Sequence, residues 1–409
     1  KYCKFNNMYL KKIPNIYFII LWLSLIFSIS AETSILQSDG YNLRLFIDKI
    51  RIIAAIISSF IIFYIFIKLK INFFSQPLIL KLFFIYFIFL LLSTLITIDS
   101  LSEFHKILLP FFSISLLLLA MIILKKNDNT LTNQIFFSSI IFFLSFTVLT
   151  LVGIYLNFFS LGSASLYGLP SFSFFNLNLQ NSNGVSRILL VISIFIFFFK
   201  KNYFHMMLLI LINSIIINLE SRFALSIFVV FNLWVCFFYS INKNEAIKNI
   251  FLFMIIPIFI SLSIIHFNTN INKKIGDQSR LSKLITNPKF FKISKSSRLN
   301  SWKTIIKNND SPIYGLGSQA DRALTEKLLP HNRLAANSLL YAYACGGLVL
   351  VIILLSIYTT LIKMILSKNY AHNKYYYLSV FVIILILLRS LIENSFSMWG
   401  VDFILIIIS

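Results

Sequence analysis

Apolar residues run along this chain in stretches close to 20 residues, separated by short polar breaks. The stretches fall at 13–30, 51–67, 79–97, 106–124, 135–157, 186–199, 204–219, 223–240, 249–266, 336–362, 375–391 and 396–409. About 20 apolar residues, wound as a helix, match the thickness of a bilayer core. The pattern predicts an all-α polytopic membrane protein with about twelve transmembrane helices. The first run is too long, and too poorly followed by small residues, for a cleaved signal peptide, and it reads as a spanning helix. The last run is short and the chain opens at Lys1 without Met, as a chain trimmed at one or both ends would. One break differs from the rest in length. Residues 267–335, between the ninth and tenth runs, are hydrophilic. The expected organisation is one integral unit: nine helices over 1–266, one loop over 267–335 and three helices over 336–409.

Composition agrees. Of 409 residues, 58% are apolar and 12% charged, against roughly 25% charged in a soluble domain. Such a chain lacks the polar surface to cover itself in water. Cys3, Cys236 and Cys345 lack the number and spacing of a disulfide framework or zinc site. Cys236 and Cys345 lie in apolar runs and read as packing residues.

The net charge of +22 changes the picture through its distribution. Lysines occupy the amino terminus (Lys1, Lys4, Lys11, Lys12) and alternate breaks, at 68, 70 and 81, 125 and 126, 200 and 201, 243 and 248, and 363, 368 and 374. By the positive-inside rule these are cytoplasmic, with both termini inside. The intervening short breaks hold Glu32, Asp39, Asp48, Asp99, Glu103, Glu220 and Glu393 and face out. The long loop is then outside the cytoplasm, with 13 Lys and Arg against 4 acids. A long loop translocates regardless of its charge, so its basicity needs a separate reason. One reason is simply a solvated, Lys-rich loop in a chain inflated in Lys, Asn, Ile and Phe.

The arginines suggest another. There are nine, at 44, 51, 187, 222, 280, 298, 322, 333 and 389, and on this map all lie on the outer side or at outer helix ends. The guanidinium fork donates two parallel hydrogen bonds to phosphate or carboxylate. The outer face is therefore expected to hold an anion, and nucleic acid drops out as a partner.

Three groups of residues are candidates for that site. Arg222, in Glu220-Ser221-Arg222-Phe223-Ala224, sits at the junction of two apolar runs, where a charge must snorkel, pair with Glu220 or line a cavity. The stretch 158–187, uncharged up to its last residue, ends in Asn181-Ser182-Asn183-Gly184-Val185-Ser186-Arg187 at a helix start, a setting that suits a plain cap or an anion beside Arg187. In the long loop, Arg298 and Trp302 are one helical turn apart and share a face. They are followed by Pro312-Ile313-Tyr314-Gly315-Leu316-Gly317, a turn by its proline and glycines, then Asp321, Arg322 and His331-Asn332-Arg333. Gly315 and Gly317 alone are weak evidence for phosphate binding, since no Walker or dinucleotide context surrounds them. Asn337-Ser338 opens the tenth helix. His331 is the only histidine of the long loop. Nearby arginines favour its neutral base form.

The succession NSNGVSR, SRFA, RLNSW, SPIYGLG, HNR and ANSLLYAYACGG, with the long outer loop before the tenth helix, resembles the bacterial O-antigen ligase and O-antigen polymerase family. The resemblance spans roughly residues 170–360 and rests on motif order. It implies a metal-independent, GT-C-like glycosyltransferase of the inner membrane with no cofactor. Such an enzyme passes a glycan from undecaprenyl diphosphate, at the periplasmic face, to an acceptor hydroxyl. The acceptor is the lipid A core for a ligase and another lipid-linked repeat unit for a polymerase. Carried onto this sequence, Arg222 and Arg298 bind the diphosphate and stabilise the leaving charge, with Arg187 a weaker partner. Asn183 belongs to the helix-start motif, His331 is the candidate base, and Trp302, Gly315, Gly317, Arg322, Asn332, Arg333 and Asn337 are candidate substrate contacts. The ligase pattern places a His pair ten residues before a Gly. Here that position, counted from Gly347, is Asn337 preceded by Ala336, and His331-Asn332 lies six residues too early. The departure leans toward a polymerase. The rival reading from another class is a lipid-linked oligosaccharide flippase. The two halves of this chain, however, do not resemble each other, as the repeats of a transporter would.

Overall fold

The computed structural model describes residues 13–28, 43–98, 104–161, 182–199, 202–218, 222–234, 243–261, 297–326, 337–367, 374–391, 395–398 and 400–408. Every regular element among them is helical. In chain order these are α1 (Asn15–Phe27), α2 (Leu43–Lys68), α3 (Leu78–Thr97), α4 (His105–Lys126), α5 (Asn129–Leu161), α6 (Ser182–Phe199), α7 (Tyr203–Asn218) and α8 (Arg222–Trp234). Then come α9 (Lys243–Ile250), which runs on through a π-helical turn at Phe251–Ile255, and α10 (Ser297–Asn308), α11 (Ala320–Glu326), α12 (Ser338–Leu366), α13 (Lys374–Ser390) and α14 (Val401–Ile408). Each apolar run of the sequence overlaps one of these helices.

Among the described residues, four segments are long and apolar enough to cross a membrane: Lys49–Lys68, Leu78–Thr97, Lys106–Lys126 and Ser338–Leu366. Large apolar side chains stand exposed on them, among them Ile57, Phe60, Tyr64, Ile96 and Ile352. In water such a surface would be untenable; against lipid it is the ordinary state. The protein is all-α and membrane-embedded.

Turn chemistry explains several boundaries. Pro77 precedes α3, where its missing N–H costs no helical bond. Asn127, in the left-handed conformation at φ 50°, closes α4. Asp128 then caps the start of α5, its Oδ1 accepting from the Thr130 and Leu131 amides.

The chain forms two compact units. It leaves the first at residue 140 and returns at 294. The first unit holds α1–α4, the beginning of α5 and α10–α14. Within it α3 packs on α12 and α4, and α2 on α1 and α4. Lipid tails are as apolar as leucine, so these contacts are held by shape and hydrogen bonds rather than by exclusion of water. Edge-to-face rings supply part of the fit: Phe403 meets Phe87 at 4.8 Å and Phe83 at 5.6 Å, and Phe396 meets Tyr358 at 5.5 Å. The second unit holds the rest of α5 and α6–α9. There Phe197 of α6 meets Phe231 of α8 at 5.6 Å and Phe253 of the π turn at 5.8 Å. Asn213 Nδ2 donates to the Phe253 carbonyl at 3.0 Å, bonding a carbonyl in the turn where the α-helical ladder is interrupted.

Candidate functional site

Among the described residues, the long hydrophilic segment meets the apolar helices of the first unit at a glycine turn seated in a break of α12. Gly347 lies nine residues into that helix with φ 63° and ψ −158°. This backbone conformation is open to glycine and closed to residues with a Cβ. It interrupts the helical ladder, whose register would pair the Leu348 N–H with the Ala344 carbonyl and the Val349 N–H with the Cys345 carbonyl. All four groups bond to the turn instead. The Leu316 N–H donates to Ala344 O and the Gly317 N–H to Cys345 O, both at 2.9 Å. Leu348 N–H donates to Pro312 O at 2.9 Å and Val349 N–H to Ile313 O at 3.4 Å. A broken helix at membrane depth is tolerable only when its freed backbone groups find partners, and here the turn supplies them.

Helix α3 closes the other side. Ser93 Oγ lies 3.0 Å from Tyr314 O and 2.9 Å from Cys345 O, donating at the seam between turn and helix. Thr94 Oγ1 accepts from the Ser318 N–H at 2.8 Å. Asn309 ends α10 by donating its Nδ2 to Tyr343 O at 3.0 Å, while its Oδ1 accepts from Ser311 N–H at 3.1 Å. The approach is backbone to backbone. A Cβ on Gly315 would fall 2.3 Å from the Gly346 nitrogen, and one on Gly347 would fall 2.2 Å from the Ile313 carbonyl.

Beneath the turn lies a buried polar cluster. Ser318, Asp321 and Tyr341 are each 1% exposed, and Cys345 is fully covered. Gln319, at φ 65°, bends the chain into α11. The Ala320 N–H donates to Gly317 O at 3.2 Å, and Tyr341 lies one helical turn before Cys345 on α12. A second buried polar group ties the last helices to the start of α12. Arg389 of α13 pairs with Asp402 of α14, and Ser395 Oγ donates to the same carboxylate. Ser395 N–H donates to Ser338 Oγ at 3.0 Å, and the Asn337 amide donates to Leu391 O at 2.9 Å.

At the far end of α4 a cleft of about 450 Å³ is lined by Pro14, Asn15, Lys126, Asn127 and Asp128 among others. Its polar groups hold one another. Lys126 Nζ donates to Ile13 O and to Asn15 Oδ1, and Asn15 Nδ2 donates to Asp128. The Asp128 carboxyl is held at about 2, chiefly by the Thr130 hydroxyl, then by the Asn15 amide and the backbone amides of Leu131 and Thr130.

The residues expected from the sequence fall into two sets. Arg298 and Trp302 lie on α10, Gly315 and Gly317 in the turn, Arg322 on α11 and Asn337 at the start of α12, all in the first unit. Asn183 and Arg187 lie on α6, and Arg222 is the first residue of α8, all in the second. Arg187 is buried and Trp302 is half-buried. The side chains of Arg298, Arg322, Asn183 and Arg222, and all of His331, Asn332 and Arg333, lie outside the described residues.

Two expectations change in character. The amides of Gly315, Leu316, Gly317 and Ser318 are spent on Ser311 O, Ala344 O, Cys345 O and Thr94 Oγ1. As candidate substrate contacts, Gly315 and Gly317 would have to act through groups other than these amides, and both glycines serve close backbone approach. Asn337 is a helix cap, its Oδ1 accepting from the Leu339 and Leu340 amides at 2.8 and 3.2 Å.

Sequence reasoning passed over Ser93, Thr94 and Asn309, gave Asp321 no role, and counted Arg389 among the outer arginines without its partner Asp402. Asp402 did carry a signal, as the one acid in its apolar run. Ser93 and Thr94 carried none, since hydroxyls are commonplace in apolar helices.

No family model matches the chain, and neither a curated protein nor a solved structure matches it.

Proposed function

We propose that this chain is a metal-independent membrane glycosyltransferase of O-antigen polymerase or ligase type. On this reading it spans the bacterial inner membrane about twelve times in a GT-C-like arrangement. It transfers a glycan from undecaprenyl diphosphate to an acceptor hydroxyl on the periplasmic side, another lipid-linked repeat unit being favoured over the lipid A core. What supports the reading is that all nine arginines fall on the outer side of the topology expected from the lysine pattern, with Arg187, Arg222, Arg298 and Arg333 inside the motifs whose order resembles that of the family. Breaking a sugar–diphosphate bond builds charge on an anionic leaving group, and fixed guanidiniums in a water-poor site stabilise it.

The seated turn supports this reading physically. It joins α10, which carries Arg298, to α11, which carries Arg322, and it is tied by six hydrogen bonds to α3 and α12. Cationic residues on a hydrophilic segment would otherwise be free to move; here their helices are anchored to membrane helices, as preorganisation requires. The transporter reading draws on the same break in α12, since transporters bind substrate at interrupted helices. The turn, however, fills that break and takes up the backbone groups that a substrate would need.

The test is a glycan gel from cells lacking the protein and complemented with variants at equal protein level. Arg222→Ala and Arg298→Ala should each abolish long chains. A single repeat on the lipid core identifies a polymerase, and bare core with polymer stranded on the carrier a ligase. Normal chains from both variants would remove the diphosphate role. Lipid-linked repeat units held on the cytoplasmic side would replace the enzyme with a flippase.

A further inference from the structure

The exchange of partners at Gly347 has two solutions, only one of which is occupied. With the turn in place, Ala344 O, Cys345 O, Leu348 N–H and Val349 N–H bond to Leu316, Gly317, Pro312 and Ile313. With the turn withdrawn, the same four groups satisfy one another as two ordinary helical bonds, 348 to 344 and 349 to 345, provided Gly347 turns from φ 63° to the right-handed helical region. Glycine is equally at home in both regions, so no side chain opposes the change. The withdrawn turn keeps its own internal Gly315 N–H to Ser311 O bond of 2.8 Å, and water takes the groups it gives up. The four helix groups at the break are bonded in either arrangement, which is a condition for two discrete states rather than gradual deformation.

We propose that α12 and the turn 312–317 form a two-state switch: turn seated and helix broken, or turn released and helix continuous. Ser93 acts as its latch, since its hydroxyl bridges Tyr314 O and Cys345 O, one from each moving part, and its single proton has no such bridge once they separate. Because the turn connects α10 to α11, each change of state moves the ends of both short helices relative to α12. The switch is a property of the backbone and stands apart from what the protein acts on.

Its signature is a split among amides that bond across one seam. In the released state the amides of Leu316 and Gly317 lose their acceptors and exchange with solvent, whereas those of Leu348 and Val349 pass to the helix's own carbonyls and stay protected. A turn that merely pulls away from a permanently broken helix, or a local melting of α12, exposes all four together. Hydrogen exchange at single-amide resolution on the full chain in lipid nanodiscs separates these outcomes. The expected result is exchange at 316 and 317 at least tenfold faster than at 348 and 349. Ser93→Ala should raise the rate at 316 and 317 by roughly five- to tenfold, the shift expected from losing one hydrogen bond, and leave 348 and 349 unchanged. Gly347→Ala places a Cβ 2.2 Å from Ile313 and favours the continuous helix, so it should fold, keep its helical content and leave 316 and 317 unprotected. Equal rates at all four amides in the parent chain would overturn the switch. So would a Gly347→Ala chain that fails to fold, because the continuous helix would then not be an available state.

Discussion

Replacing one member of the Arg389–Asp402 pair should be among the most damaging single changes in the first unit. The Arg389 side chain is 8% exposed and that of Asp402 2%, between two apolar helices. Each ion has lost its water, and the partner's charge, with the Ser395 hydroxyl on the Asp402 side, contributes to the compensation. Removing one partner from a buried pair strands the other at a cost of about 3–5 kcal/mol, a hundred- to several-thousand-fold change in the folded population at roughly 1.4 kcal/mol per decade. The two changes differ. Arg389→Met leaves a carboxylate that keeps its Ser395 bond and can be neutralised by a proton, so it falls near the lower figure. Asp402→Asn leaves a guanidinium, which does not give up its proton, so it falls near the upper. Replacing both, as Arg389→Met with Asp402→Leu, should cost less than either alone, because no charge is left to strand. Equilibrium unfolding in mixed micelles, run as a double-mutant cycle, measures this coupling. Single changes costing under about 1 kcal/mol, or single effects that simply add in the double variant, would refute the pair as a buried, mutually compensating unit.

Gly315→Ala should destabilise the first unit by about 1–3 kcal/mol through its strained φ and its overlap with Gly346. Gly400→Ala, whose Cβ meets nothing within 4 Å, should stay within about 0.5 kcal/mol; thermal unfolding of the two variants compares them. Asp128 contributes a pH-dependent part of the tie between α1 and the start of α5. Its carboxyl lies below the ordinary value, at about 2, so the unfolded chain binds more protons there, and the contribution is complete above about pH 4 and lost as pH falls toward 2. The stability difference between the parent chain and Asp128→Asn should shrink over that window, and a constant difference would contradict it. If His331 serves as the base in the proposed transfer, His331→Ala should slow turnover by roughly 10²- to 10⁴-fold without changing the amount of folded protein. Undiminished turnover would remove it.

Much of the architecture was legible along the chain because hydropathy is a local property. A run such as 79–97 or 106–124 is helical in a bilayer whatever surrounds it, since no other backbone form satisfies its polar groups there. Asn337 as a helix start and Pro312 with its glycines as a turn were legible for the same reason: caps and turns are made by residues within a few positions of one another. The meaning of that turn was not. Gly315 and Gly317 mark a turn, and by themselves they are weak evidence for an anion cradle. What decided their role was where their amides bond, Gly315 N–H to Ser311 O within the turn and Gly317 N–H to Cys345 O on α12, some thirty residues further along the chain. The break at Gly347 was hidden because a glycine inside an apolar run is compatible with a continuous helix; it becomes a break only when a second segment offers partners for the freed carbonyls and amides. Ser93 and Thr94 were hidden for a similar reason, as their hydroxyls bond to residues more than two hundred positions away. The sequence alone thus determined which segments are helices and that they belong in a membrane. Which polar groups meet inside that membrane was decided only by the tertiary structure, because a buried hydrogen bond depends on where both partners lie and hydropathy describes them one at a time.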